Sequence, residues 1–162
     1  SSQLFERFST PQALARAPVH EIEQLVKPAG FYRVKARHVK ELSAQLVRDF
    51  NGTVPRSKDD LMSLKGVGTK TAACVLVYAF KEPAIPVDVH VHRVFNRLGI
   101  VATRFPGETE KVLESLVPRS RWIEVNHLAV LFGQTVCLPR NPKCHSCALN
   151  ESCAFARSLN RG

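Results

Sequence analysis

The stretch "LKGVGTKTAACV", Leu64 to Val75, puts two glycines and a lysine at the head of an apolar helical run. Ser57 stands three residues before Asp60, a capping-box spacing that predicts a short helix to about Leu64, and Thr69 onward predicts a second helix to about Phe80. Lys65 to Gly68 join the two as a helix-hairpin-helix. Neither familiar phosphate loop fits. A P-loop needs glycine directly before its lysine, whereas Thr69 precedes Lys70, and a dinucleotide loop needs a third glycine and a preceding strand. What remains is a tight glycine turn whose N–H groups, from Gly66 through Val67 and Gly68 to Thr69, lie open at a helix N-terminus as a seat for phosphate. Lys70 falls in the first turn of the second helix, where the positive end of the dipole disfavours its ammonium form; a partly deprotonated amine is a nucleophile. The alternative is that Lys70 is one more phosphate-binding cation.

Outward from this motif the chain reads helical almost throughout. In "FYRVKARHVKELSAQLVRDF", Val34, Val39, Leu42, Leu46 and Phe50 recur at steps of three to five as one apolar stripe of a long helix, opened by Gly30 and ended by "NGTVP". "TPQALARA" and "PGETEKVLESLVP" are further helices, the first capped by Thr10 before Pro11 and the second closed by Pro118. "RWIEVNHLAVLFGQ" sets Trp122, Val125, Leu128 or Ala129, and Phe132 on one face. Only "VDVHV" alternates like a strand, and it is too short and isolated to build a sheet. The fold class is therefore all-α.

The chain has 162 residues, 44% of them hydrophobic, enough for a real core in one domain or two small lobes. No apolar run reaches the roughly 18 residues of a membrane span, and "SSQLFERFST" has no basic or greasy targeting region. Lysines and arginines number 23 against 14 acids, a net charge of +9 spread along the chain. A folded basic surface suits a polyanion, nucleic acid above all; plain solubility is the competing explanation.

Cys137, Cys144, Cys147 and Cys153 stand as C-x6-C-x2-C-x5-C, while Cys74 lies alone in an apolar helix as core packing. The clustered four are a site. Disulfides, zinc and an iron-sulfur cubane are all open on chemistry alone. Structural zinc sites usually pair two short knuckles, and the single C-x2-C here, flanked by longer loops, favours a bulkier cluster.

"LKGVGTKTA", "VDVHVHR" and the four-cysteine pattern, in that order, resemble the endonuclease III family of DNA glycosylases over essentially Ser1 to Ala156. The resemblance implies two helical lobes: a helical barrel carrying the hairpin over residues 1–81 and an iron-sulfur lobe over 82–162, with Lys70 and Asp88 facing across the cleft. It implies a 4Fe-4S cluster on Cys137, Cys144, Cys147 and Cys153, and it makes Lys70 and Asp88, 18 residues apart, the catalytic pair. The activity implied is bifunctional base-excision repair, in which a lysine Schiff base removes oxidised pyrimidines and β-elimination cuts the strand. A base-removing mismatch or damaged-base glycosylase without lyase action, and a non-catalytic DNA-binding iron-sulfur module, are the alternatives. Relatives that only remove the base carry serine or tyrosine in place of the lysine.

On residues alone Asp88 is also an N-cap for "VHVHRVFNRLG", a role that does not exclude catalysis. Phe31, just after Gly30, matches the family's apolar wedge, although local core packing would equally explain it. His90 aligns with a pocket residue of the family or is structural; two positions from His92, it shares no metal-binding helix face with it. In "LPRNPK", Arg140 and Lys143 are offered to phosphates. The partner implied is double-stranded DNA with a damaged base or abasic site, met by a monomer in its full-length form inside the cell: in the cytoplasm or nucleoid of a prokaryote, in the nucleus or mitochondrion of a eukaryote. The family carries two more helices ahead of the segment that Ser1 begins, one ending in a loop that enters the duplex. The resemblance therefore implies partly uncovered faces on "LFERF" and "VLVYAF", lower stability and slower cleavage than in a family-length chain.

Overall fold

The computed structural model describes residues 2–159, and among them helices and turns account for all regular structure, with no strand. No helix among the described residues is long and apolar enough to cross a membrane. The chain forms two compact units that divide between Gly68 and Thr69, ahead of the Lys81 boundary expected from the resemblance, so that Lys70 and Asp88 belong to one unit.

The first unit is built on α4, Tyr32–Phe50, with α1 (Ser2–Arg7), α2 (Pro11–Arg16), α3 (Val19–Val26) and α5 (Lys58–Ser63) around it. Thr10 caps α2 by accepting the Ala13 N–H at 3.1 Å, and Ser57 caps α5 by accepting from Asp60 at 3.1 Å, as the sequence predicts. The core joins Leu4, Leu14, Ala17, Ile22 and Ala36, with Val39 packed against it. Ala36 and Ser43 are both buried and small, which lets α2 and α3 lie close against α4. Lys40 runs its stem through this contact and donates its ammonium to the carbonyls of Ala15 at 3.0 Å and Ala17 at 2.6 Å, closing the C-terminal end of α2.

The second unit holds α6 (Thr69–Cys74), a π-helical turn Val75–Phe80, α7 (Val89–Leu98), α8 (Pro106–Leu116), α9 (Trp122–Thr135) and α10 (Ala154–Leu159). Its core is Ile85, Val87, Val91, Val101, Leu113 and Ala129, with α7 packed on α9. Gly133 of α9 is buried where the helices meet, and a Cβ there would lie 3.0 Å from the Cβ of His90. The start of α8 is held by Glu108, which accepts the Arg104 N–H at 2.9 Å and the Phe105 N–H at 3.3 Å.

Two local expectations change, and one alternative is resolved. The helix from Thr69 keeps α geometry only to Cys74; its last stretch widens so that the N–H groups of Lys81 and Glu82 both reach the Leu76 carbonyl, with Lys81 left-handed at φ 59° and Pro83 barring continuation. Val34 leaves the α4 stripe and is exposed, because at about 100° per residue it lies nearly opposite Ala36. On α9 it is Ala129, not Leu128, that enters the core, beside buried Asn126. In "LFERF" Leu4 is buried while Phe5 is exposed, and in "VLVYAF" Leu76 and Val77 are buried while Tyr78 is exposed.

Asn126 is a buried amide that ties α9 to two other segments. Its Nδ2 donates to the Pro86 carbonyl at 2.6 Å and its Oδ1 accepts from the Tyr78 hydroxyl at 3.0 Å. Asn126→Ala leaves the Pro86 carbonyl without that partner inside the unit and is expected to lower stability by about 2 kcal/mol, whereas Tyr78→Phe should lose about 1 kcal/mol or less because Tyr78 is exposed. Urea unfolding of the three proteins checks the order.

Candidate active site

Ala84 to Val87 run buried, without regular structure, into Asp88, which is extended at φ −105° and ψ −173° as the N-cap of α7. One carboxylate oxygen, Oδ1, accepts the N–H groups of both His90 and Val91 at 2.9 Å each. Oδ2 has no hydrogen-bond partner among the described residues. The cap is therefore complete with half of the carboxylate. Lys70, exposed in the first turn of α6, and Asp88 line one cleft of about 490 Å³ together with Thr69, His90, Gly107 and Glu110, a size that suits a small-molecule group or a single nucleotide. Cys74, one turn beyond Lys70, reports on the same neighbourhood. Burial pushes its thiol above the usual range, and the charges of Lys70 and Asp88 act on it in opposite senses. Cys74 is half-buried rather than core.

Glu110 is the acid that sequence reading missed. It lies in a run, "ETEKVLES", that looks like a solvated helix face, yet it is only 3% exposed and lines the cleft. Its position follows from α8: Thr109, Glu110 and Leu113 form the buried side, a pattern hidden because two of the three are polar.

The hairpin of the first unit is a reverse turn. The Val67 N–H donates to the Leu64 carbonyl at 3.0 Å, and Gly66 stands at φ 81°, the third-position geometry of a type II turn. This corrects the expected row of open amides, since the turn itself uses the Val67 N–H. Those of Gly66, Gly68 and Thr69 have no partner among the described residues. Phe31, at the N-cap of α4, is left-handed at φ 56° and 86% exposed, so the core-packing reading of it is overturned: its side chain contributes nothing to the interior.

The four clustered cysteines line a single cavity with Arg97, Phe132, Val136 and Phe155, and none is in a disulfide. Burial first, and then the sulfurs of Cys153, Cys137 and Cys147, push the Cys144 thiol upward. Among the described residues no three His, Cys, Asp or Glu side chains converge as a site for a single metal ion. The donor set suits a larger cluster: four sulfurs around one apolar-walled cavity, with N–H groups turned toward two of them, Leu149 to Cys147 at 3.4 Å and Arg97 to Cys137 at 3.5 Å. Lys143 lines the cavity, while Arg140, in the same loop, is exposed and outside it.

Two arginines of α7, four residues apart, organise this end of the unit. Arg93 donates to the carbonyls of Gly133 at 2.8 Å and Cys137 at 3.0 Å, and its guanidinium meets His90 Nδ1 at 3.1 Å. Arg97 donates to Leu138 at 2.6 Å and Pro139 at 3.0 Å and lies over the Phe155 ring at 4.5 Å. Sequence reading missed both, because each acts on carbonyls 40 to 44 residues away and α7 also carries His90, His92 and Asn96, so nothing local singles the arginines out. His92 faces elsewhere, meeting Thr109 Oγ1 at 2.7 Å, so the two histidines serve separate networks.

The cleft therefore unites Thr69, Lys70, Asp88 and His90, and the cavity unites the four cysteines with Lys143, while Gly66, Val67, Gly68 and Phe31 lie in the first unit. Residues 1–119 match the family described as HhH-GPD superfamily base excision DNA repair protein. Endonuclease III of Thermotoga maritima is 46% identical over 162 residues, covering 100% of this chain and 76% of that protein. The chloroplastic endonuclease III homolog 2 of Arabidopsis thaliana is 40% identical over 155 residues, but this chain spans only 40% of its length. A solved structure of a trapped endonuclease III–DNA covalent intermediate superposes with a TM-score of 0.90 at 40% identity, covering 99% of this chain and 76% of that one. Identity of this size along the whole chain, on the same fold, makes the protein a member of the endonuclease III family within the HhH-GPD superfamily.

Proposed function

We propose that the chain is a bifunctional DNA glycosylase and AP lyase, acting on duplex DNA that carries an oxidised pyrimidine or an abasic site, with Lys70 as nucleophile and Asp88 as its acid-base and electrostatic partner. The observation that supports this most is the division of labour at Asp88. Oδ1 secures α7, and Oδ2 has no partner among the described residues in a carboxylate that lines the cleft with Lys70. A pure cap would need no cleft and no amine. Lys70, exposed there, favours the lyase reading over base removal alone, and the trapped covalent intermediate of the similar structure supports the same chemistry.

The reaction balances with these groups. The Lys70 Nζ lone pair bonds to the sugar C1′ as the C1′–N bond breaks, its electron pair leaving with the base. Asp88 takes a proton from the attacking nitrogen and offsets the positive charge that grows on the sugar. The departing base takes up a proton from water, and the proton held by Asp88 passes to the ring oxygen as the C1′–O4′ bond breaks, giving a Schiff base between Lys70 and C1′. Water removes a C2′ proton, the C2′–H electron pair becomes a C2′–C3′ double bond, and the C3′–O bond breaks with its pair on the leaving 3′ phosphate; water then adds to C1′ and breaks the C1′–N bond, returning the amine and leaving an unsaturated aldehyde. Cys137, Cys144, Cys147 and Cys153 would hold a 4Fe-4S cluster, which when bound supplies a rigid inorganic core for the loop that presents Arg140 and Lys143 to phosphates. The N–H groups of Gly66, Gly68 and Thr69 serve as phosphate donors of the hairpin, Val67 as its spacer, Phe31 as the wedge and His90 as a wall of the nucleotide pocket.

Borohydride should trap a covalent protein–DNA adduct on duplexes carrying an oxidised pyrimidine, and Lys70→Ala should lower its yield at least 100-fold; an undiminished adduct removes Lys70 from the mechanism. Asp88→Asn keeps a good helix cap while deleting the charge, so it should slow single-turnover base release by about 10²- to 10³-fold with duplex affinity little changed. Near-normal rates would leave Asp88 a cap alone. Protein prepared without oxygen should be brown and contain iron and sulfide, with Cys147→Ser losing most of both. Stoichiometric zinc without iron in the unsubstituted chain would overturn the cluster.

A further inference from the structure

We propose that Gln45 of α4 is a positioning residue for DNA binding: its side-chain amide fixes the hairpin turn in the geometry that leaves the Gly66 and Gly68 N–H groups open to phosphate. The proposal rests on the hairpin being a phosphate seat. Gln45 Oε1 accepts the Lys65 N–H at 2.9 Å, and its Nε2 donates to the Ser63 carbonyl at 3.0 Å. One side chain thus grips the last residue of α5 and the second residue of the turn, on either side of Leu64. Both backbone groups would otherwise be orphans, the Ser63 carbonyl as a helix C-terminus and the Lys65 amide as the entry to a turn closed only between Leu64 and Val67.

Two further residues on the same face of α4, spaced by three and four, extend the contact. Glu41 pairs with the Lys65 ammonium at 2.9 Å, which holds its carboxyl below the usual range. The His38 ring lies beneath Gly66, where a Cβ would sit 3.5 Å from Nδ1. Magnitudes decide which of the three matters. The Glu41–Lys65 pair is exposed at both ends and fades in salt, and His38 touches the turn without a bond to it. The two amide bonds of Gln45 are neutral, of ordinary length and made to backbone, so salt does not screen them as it screens the ion pair. The pairing matters as well: with the Lys65 N–H taken by Gln45 and the Val67 N–H by the Leu64 carbonyl, the Gly66 and Gly68 amides are the ones left without a partner among the described residues. Nothing in the glycine motif itself encodes this, because Gly66 can adopt either sign of φ.

The test uses Gln45→Met, which keeps helix propensity and volume while removing both bonds, and Gln45→Leu as a second variant. Hydrogen exchange at the Lys65 amide and binding to an undamaged duplex are measured beside a Gly66→Ala control. In both Gln45 variants the Lys65 amide should exchange at least tenfold faster and the duplex Kd should rise about five- to tenfold, with KM rising to match and kcat unchanged. An unchanged Kd in both while Gly66→Ala weakens binding overturns the role of Gln45 and leaves the phosphate seat standing. Unchanged binding in all three proteins overturns the phosphate seat and this inference with it. A fall in kcat with KM unchanged also overturns it, since positioning for binding would not produce that split.

Discussion

Everything at the candidate site depends on one carboxylate oxygen accepting two amides. Asp88 Oδ1 closes the first turn of α7, and α7 in turn carries the cleft and the cysteine cavity at successive positions along its length: His90 on the cleft, Arg93 on the end of α9, Arg97 on the loop of Cys137. A helix that begins at a fixed point delivers each of these side chains at a fixed height and angle, 1.5 Å and 100° per residue. The cap therefore sets the origin from which the rest of the second unit is measured. It also explains how a group used structurally remains usable chemically, since a carboxylate has two oxygens and the helix needs only one.

The second requirement is close approach between α7 and α9. Gly133 supplies it by having no side chain where His90 and Arg93 pass, and the carbonyl it leaves accessible becomes an acceptor for Arg93. The carbonyls of Gly133 near the end of α9 and of Cys137 and Leu138 just beyond it are met by guanidinium groups, so the helix end, the cysteine loop and the cleft wall are stitched by bonds of the charge-assisted kind. In the first unit the same role falls to one charged and one neutral side chain: the Lys40 ammonium on α2 and the Gln45 amide on the hairpin.

Much of this was legible from the chain. Helix starts announce themselves locally, and Thr10, Ser57 and Asp88 cap where their spacing says they should, because a cap is a bond between residues two or three apart. Membership of the helix-hairpin-helix and the grouping of the cysteines were equally local. What stayed hidden depends on partners far along the sequence. Gln45 acts on residues 18 and 20 positions away, and Arg93 and Arg97 on residues 40 to 44 away, with no periodicity to advertise them. Val34 was misplaced, and the choice between Leu128 and Ala129 stayed open, for a related reason: an apolar residue off the buried face can keep the rhythm of a stripe while facing out, and buried Ser43 on α4 and Asn126 on α9 interrupt the true one.

Phe31 carries a different lesson. Most exposed side chains point where the packing beneath them allows, but Phe31 is aimed by its own backbone, held at φ 56° between Gly30 and the first turn of α4. Direction is thus written in the main chain and chemistry in the side chain, and the two are separable. Leucine or methionine at this position would emerge along the same axis, so the site tolerates exchange of identity among bulky apolar residues while remaining intolerant of any change upstream that returns residue 31 to an ordinary helical entry. The projecting group behaves as an interchangeable tip on a fixed handle.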